Sequence, residues 1–363
     1  MEEYDINWLD KKLSKLQLFG ARIRRIDGIY YATLNDTHYI LIPDYIKNLP
    51  GLEIDVKSKE IKFLGGRGLK HCTGFLGSRR YNRLDFSNFI TDKIINATML
   101  FEQVKADEIV MPQMGFPSAT DFYGMFYKAR IGVLNFNKMD TSMITDMSEM
   151  FKYGNFGTVD MTGLDTSNVT DMSYMFYNTS VIQLIMDIDT SSVTDMSKMF
   201  LMADIKNLST KSFNTSNVKS MRGMFGYCEL DELNLSNFDT SNVETMECMF
   251  LQSKIKNLDI SSFNTSNVKN MQGMFTACIT DKLDLSNFDT SKVTNMKRMF
   301  LKSSIEEVDL SSFKINSTME DCCEHMFDDA RINKISITDE KIKSEAVAIT
   351  LTLNKEIKTW WNC

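Results

Sequence analysis

Asp259, Asp284 and Asp309 recur every 25 residues, each between two aliphatic neighbours, and Asp160 and Asn234 stand in the same setting. Glu232, Asn257, Lys282 and Glu307 lie two positions before four of these residues. A column of side-chain oxygens with a fixed period has three possible uses: a solvated face, a contact with a basic or polar protein partner, or a seat for a cation such as calcium. Acids about 5 Å apart repel by roughly 0.8 kcal/mol per pair in water, which a solvated face tolerates. Calcium takes about six to eight converging oxygens, more than one column presents. No metal is therefore assigned, and the candidate binding set is Asp160, Glu232, Asn234, Asn257, Asp259, Lys282, Asp284, Glu307 and Asp309.

Other reactive residues lead less far. The string Asp321-Cys322-Cys323-Glu324-His325 holds metal-ligand types but lacks the paired spacing of zinc sites. The three histidines, His38, His71 and His325, are far apart in sequence, and no nucleophile, base and acid can be grouped around them. Leu64-Gly65-Gly66-Arg67-Gly68 lacks both the Lys-Ser/Thr of a P-loop and the spacing of a dinucleotide fingerprint, and it reads as a turn. The expectation is a protein that is not an enzyme and carries no cofactor.

The elements that position the acidic column are repeats. Met-Phe pairs end at Phe126, Phe151, Phe176, Phe200, Phe225, Phe250, Phe275, Phe300 and Phe327, at intervals of 25, 25, 24, 25, 25, 25, 25 and 27, and Phe101 extends the series upstream. So regular a period predicts a solenoid, with each coil stacked on the next. Within the period, Leu233 to Phe238, Leu258 to Phe263 and Leu283 to Phe288 alternate apolar and polar residues, the mark of a strand with one buried face. An Asp or Asn followed by Thr-Ser comes next, as in Asp239-Thr240-Ser241, and reads as a helix N-cap; Ser241 and Glu244 have capping-box spacing. Val243, Met246, Met249 and Phe250 then fit one face of a short helix, which makes the 26 methionines core filler and not metal ligands. Small residues three places after each Phe, such as Cys228 and Cys278, mark a crowded inward corner.

Ile255-Lys-Asn-Leu258-Asp-Ile260 fits the opening of a leucine-rich repeat, and Leu230 to Leu235 and Ile305 to Leu310 fit the same frame. Together with the Phe-Asp-Thr-Ser-Asn-Val motif, the unit resembles the BspA-like leucine-rich-repeat family of bacterial and mycoplasma surface proteins, found also in protists and large viruses. The resemblance covers roughly residues 81–337. It implies a curved solenoid used in adhesion or other protein contacts, with no family-wide catalytic residues. Phe263 stands where the usual repeat has Asn or Cys, so an aromatic column replaces that ladder.

The fold class expected is α/β: a single solenoid of about ten coils, each with one strand and one short helix, over residues 81–337. Residues 1–80 form a small α+β cap, with an amphipathic helix over 6–19 and a hairpin turning at Asp27-Gly28, and residues 338–363 close the other end. The net charge of −7 splits into +4 over residues 1–80 and −11 over the rest, which argues against binding nucleic acid. No stretch reaches the length of a membrane span, and seven cysteines without framework spacing suit a reducing, intracellular compartment. Cys228 and Cys278, two coils apart, lie beyond disulfide reach. The function expected is a monomeric scaffold for protein–protein interaction. The alternatives are a surface adhesin exported without a recognisable signal and an N-terminal effector carried on a repeat arm. In Phe263 to Phe275, the letters left free to bind are Asn267, Lys269, Asn270 and Gln272.

Overall fold

The structure, a computed structural model, describes five strands between residues 22 and 62 and then residues 80–346, apart from 88–90, 93, 114, 137–138 and 316–320. The helix expected over 6–19, the turns at Asp27-Gly28 and at Gly65 to Gly68, and His71 lie outside the described residues. Contacts divide the chain into two units, residues 1–168 with 181–188 and residues 169–180 with 189–363.

The first unit opens with an antiparallel meander of β1 (Arg22–Ile26), β2 (Ile29–Leu34), β3 (Thr37–Leu41), β4 (Leu52–Asp55) and β5 (Glu60–Lys62). β1 and β2 pair antiparallel with Ile26 opposite Ile29. From β5 onward the pairing is parallel, through β6 (Arg80–Asp85), β7 (Lys105–Val110), β8 (Arg130–Asn135) and β9 (Asn155–Asp160). A tenth strand, β10 (Ser180–Ile185), completes this sheet. The second unit holds a parallel sheet of β11 (Glu229–Asn234), β12 (Lys254–Asp259), β13 (Ile279–Asp284), β14 (Ser304–Leu310) and β15 (Arg331–Ile337). Partners from β6 to β9 and from β11 to β14 are 25 residues apart, as in Arg80, Lys105, Arg130 and Asn155. From β6 onward both units are thus made of parallel β-solenoid turns of about 25 residues, some ten in all.

The helix expected in each coil is not formed; the only helical stretch among the described residues is 340–346. The Met-Met-Phe segment is instead a run of tight turns. In one coil the amides of Met224, Gly226 and Cys228 bond back to the carbonyls of Met221, Gly223 and Phe225, each closing a four-residue turn. The amides between them, Gly223, Phe225 and Tyr227, leave the coil and bond to Glu247, Met249 and Leu251 of the next one at 2.7–2.9 Å. A helix needs consecutive residues near φ −63°. Here the residues two before and two after each Phe are left-handed, as at Cys248 (φ 57°) and Gln252 (φ 52°) around Phe250. Valine, methionine and phenylalanine at three- and four-residue spacing serve such a turn pair as well as a helix, so spacing alone does not distinguish them. Val243, Met246, Met249 and Phe250 are all fully buried.

The cap reading is corrected in the same way. The Asp239 carboxylate accepts the Ser241 amide two residues on, at 2.9 Å, in an Asx turn. Glu244 does not close a capping box: its amide bonds the Lys219 carbonyl and its carboxylate pairs with Lys269 at 2.7 Å. The middle residue of the motif joins the coils. The Thr240 hydroxyl donates to the Asn264 carbonyl at 2.9 Å and accepts the Asn264 amide at 2.8 Å, although Thr240 is fully buried. The same pair of hydrogen bonds links Thr141 to Asp165, Thr190 to Asn214, Thr265 to Asp289 and Thr290 to Lys314.

The core is a spine of stacked rings. Phe101, Phe126 and Phe151 stack in the first unit, with centroids 5.0 and 5.6 Å apart. Phe176, Phe200, Phe225, Phe250, Phe275, Phe300 and Phe327 stack in the second, at 5.4–5.9 Å with planes within 10°. Thr240→Val keeps the volume of the side chain but leaves the Asn264 amide and carbonyl without their partner. It is expected to cost about 1–3 kcal/mol in denaturant unfolding, and Thr240→Ser much less. Gly273 sits at φ 62°, and Gly273→Ala is expected to destabilise by roughly 1 kcal/mol. Lys302→Gly, at an exposed φ of 57°, is expected to leave stability unchanged or raise it by up to about 1 kcal/mol.

Candidate functional site

Each coil's strand directs its second and fifth residues inward and its other positions outward, as Leu230 and Leu233 do in β11. Two adjacent residues therefore face out in mid-strand: Asp231 and Glu232, Lys256 and Asn257, Asp281 and Lys282, Glu306 and Glu307. Parallel register sets Glu232 beside Asn257, Lys282 beside Glu307, Asn234 beside Asp259 and Asp284 beside Asp309. Eight of the nine candidate residues thus lie on one face of the second unit. Asp160 ends β9 in the first unit, in the equivalent place on that sheet.

The acids at the strand ends are held in place. The Oδ1 atom of Asp259 accepts both the amide and the hydroxyl of Ser261, at 3.1 and 2.7 Å, and Asp284 holds Ser286 with the same distances. Asp160 binds Thr162 and Asn234 binds Ser236 in this double fashion, while Asp309 accepts the Ser311 amide at 2.8 Å. One carboxylate oxygen thus builds the strand exit. The Ser286 hydroxyl and then its amide hold the Asp284 carboxyl below the usual carboxylate range. Glu307 is lowered by its hydrogen bond and charge pairing with Lys334, whose Nζ is 2.6 Å away.

The four residues expected to be free all bind the neighbouring coils. The Asn267 amide donates to the Ser241 carbonyl and its oxygen accepts Lys292 Nζ, both at 2.7 Å. Lys269 pairs with Glu244, Asn270 donates to Glu247 and caps the Gln272 amide, and the Gln272 side chain accepts from Asn295.

The cysteines described, Cys228, Cys248, Cys278, Cys322 and Cys323, are all free. Burial pushes the Cys228 thiol up to about 12 and the Cys278 thiol up to about 11, so both remain protonated core groups. Cys322 and Cys323 are buried on a turn of the last coil. Beside them Glu324 pairs with Lys297 at 2.8 Å and His325 Nδ1 meets Asp328 at 2.6 Å. Among the described residues no group of three His, Cys, Asp or Glu is placed to hold a metal ion, and no helix is long and apolar enough to cross a membrane.

A second outward surface went unread in the sequence. All six tyrosines after Tyr81 fall within three residues of a Met-Phe phenylalanine: Tyr123, Tyr127, Tyr153, Tyr174, Tyr177 and Tyr227. The turn pair around each Phe places them on the corner of the coil and off the strand face. Counting tyrosines by repeat position would have found them.

This geometry defines a class, the parallel β-solenoid whose 25-residue coils join strand, Asx turn and double turn. The family model described as Mycoplasma protein of unknown function, DUF285, matches residues 120–232, 153–253 and 227–340, more than half of the chain, and the chain belongs to that family. No curated protein and no solved structure matches it.

The Asx turns make a testable acid limit. Asp165, Asp239, Asp284 and Asp289 are each lowered by the hydroxyl and then the amide of the serine two residues on. A carboxyl lowered by folding contributes stability above its unfolded value, about 3.9, and loses it as the pH falls through the lower folded value. The melting temperature is expected to drop as the pH falls below about 4. Changing the four residues to Asn should flatten that acid limb, since Asn264 already accepts the Ser266 amide in the same slot without a titrating proton.

Proposed function

We propose that the protein is a non-catalytic, monomeric scaffold that holds a basic segment of a partner protein on the strand face of its second unit. The observation behind this reading is the split between a constant interior and a varied exterior. Phe, Met, Val and Thr recur in coil after coil with building roles, while the mid-strand pairs change from Asp231-Glu232 to Lys256-Asn257 to Asp281-Lys282. Along the exit column Asp284 and Asp309 stand side by side in register, at the strand spacing of about 4.8 Å, and Asp259 ends the strand before them. Their serine bonds fix these carboxylates before any partner arrives, which lowers the ordering cost of binding. The finer likeness to BspA-like leucine-rich repeats supports a contact role, and the free cysteines support an intracellular one.

The test is fluorescence anisotropy of short Lys- and Arg-rich peptides against the full chain. Binding is expected to weaken with added salt and to fall about tenfold or more when Asp259, Asp284 and Asp309 are changed together to Ala. Unchanged affinity in that variant removes this face as the site.

A further inference from the structure

We propose that the tyrosine corner of the first unit, formed by Tyr127, Tyr153 and Lys128 beside Tyr123, docks an acidic segment of a partner protein. The proposal rests on the reading of the chain as a protein-binding scaffold but concerns a different surface and the opposite charge.

Nothing in the fold requires tyrosine there. Tyr153 stands two residues after Phe151 at φ 59°, a conformation that costs a residue with a side chain about 1–2 kcal/mol. Glycine already occupies the partner left-handed slot in other coils, at Gly124, Gly223 and Gly273. Nor does the ring fill the core, since Tyr153 is 39% exposed.

The cluster has a defined geometry. The Tyr127 and Tyr153 rings meet edge to face at 5.7 Å. The exposed Lys128 ammonium lies 4.9 Å from the centre of the Tyr127 ring and 5.9 Å from that of Tyr153. The neighbouring acid is already engaged, because Glu149 pairs with Lys152 at 2.7 Å and accepts a hydrogen bond from Tyr123. Among the described residues no ion pair reaches Lys128. The result is an aromatic pair with a cation beside it and, among the described residues, no carboxylate paired with that cation. It is complementary to a segment that offers a carboxylate next to apolar side chains. Tyrosine is a usual anchor of protein contacts. A simpler lysine–tyrosine contact occurs in the second unit, where Lys198 bonds the Tyr174 hydroxyl at 2.7 Å and lies 4.8 Å from the ring centre.

The experiment measures anisotropy of short labelled peptides that mix Asp and Glu with Leu and Trp, against the full chain. The variants are Lys128→Glu, Tyr153→Gly, which relieves the left-handed strain, and the triple strand-face variant. The acidic peptides are expected to bind, to lose about tenfold or more with Lys128→Glu and with Tyr153→Gly, and to be unaffected by the strand-face changes. Circular dichroism confirms that each variant is folded. No binding of acidic peptides to the unaltered chain, equal binding by Lys128→Glu, loss only in the strand-face variant, or signal only from self-association in sedimentation would each overturn the corner site. Failure of the basic peptides alone would instead remove the strand-face reading and leave the corner standing.

Discussion

Everything in this protein depends on one hydrogen-bonding constraint. A backbone that turns back on itself every few residues can bond only alternate amides within its own coil. In the Phe225 coil those of Met224, Gly226 and Cys228 close turns, while those of Gly223, Phe225 and Tyr227 must find acceptors elsewhere. Leaving them unbonded in a core would cost about 1–3 kcal/mol each. The next coil supplies the acceptors, so no coil is complete alone and each one templates the following one. The constancy of the period follows from this. A coil longer or shorter by one residue displaces every carbonyl that its neighbour's amides require, unless the change is absorbed in a corner.

Buried side chains add to the same ladder. Thr240 and its equivalents stitch successive coils at the strand exit, and Asn242 and Asn267 bond the Ser216 and Ser241 carbonyls of the coil before, both at 2.7 Å. The stacked phenylalanines fill the interior between. Because threonine, asparagine and phenylalanine each serve the neighbouring coil, their recurrence reflects assembly, and a binding role has to be sought in the positions that vary. Those positions divide between two surfaces of unlike chemistry, a charged strand face and an aromatic corner.

Much of this was legible in the sequence, because stacking imposes translation and translation appears as a period. The strands, the inward Phe column and the crowded slot of Cys228 and Cys278 all follow from period and alternation. The double turn was not legible. Spacing of apolar residues reports which side chains point inward and not the sign of φ between them, so Val243, Met246, Met249 and Phe250 fit a helix and a turn pair equally. Glycines at 124, 223 and 273, always two before the Phe, were the signal for left-handed backbone. Lys198, Cys248 and Arg298 mask that signal by occupying the same slot without being glycine.

Local letters also fail where the neighbour differs. Ile205-Lys-Asn-Leu208 repeats Ile255-Lys-Asn-Leu258, yet only the latter lies in a strand; beside the former a single bridge joins Asp204 to Ser180. The coil that ends at Phe200 is the one with 24 residues, and Ile188, 5% exposed, takes the place that phenylalanine holds elsewhere. A strand in a solenoid is thus a property of two coils. The same holds for Asn267, Lys269, Asn270 and Gln272, which look free in one repeat and are engaged once the next is stacked. Reading such a chain for function means subtracting, position by position, whatever the adjacent coil already uses.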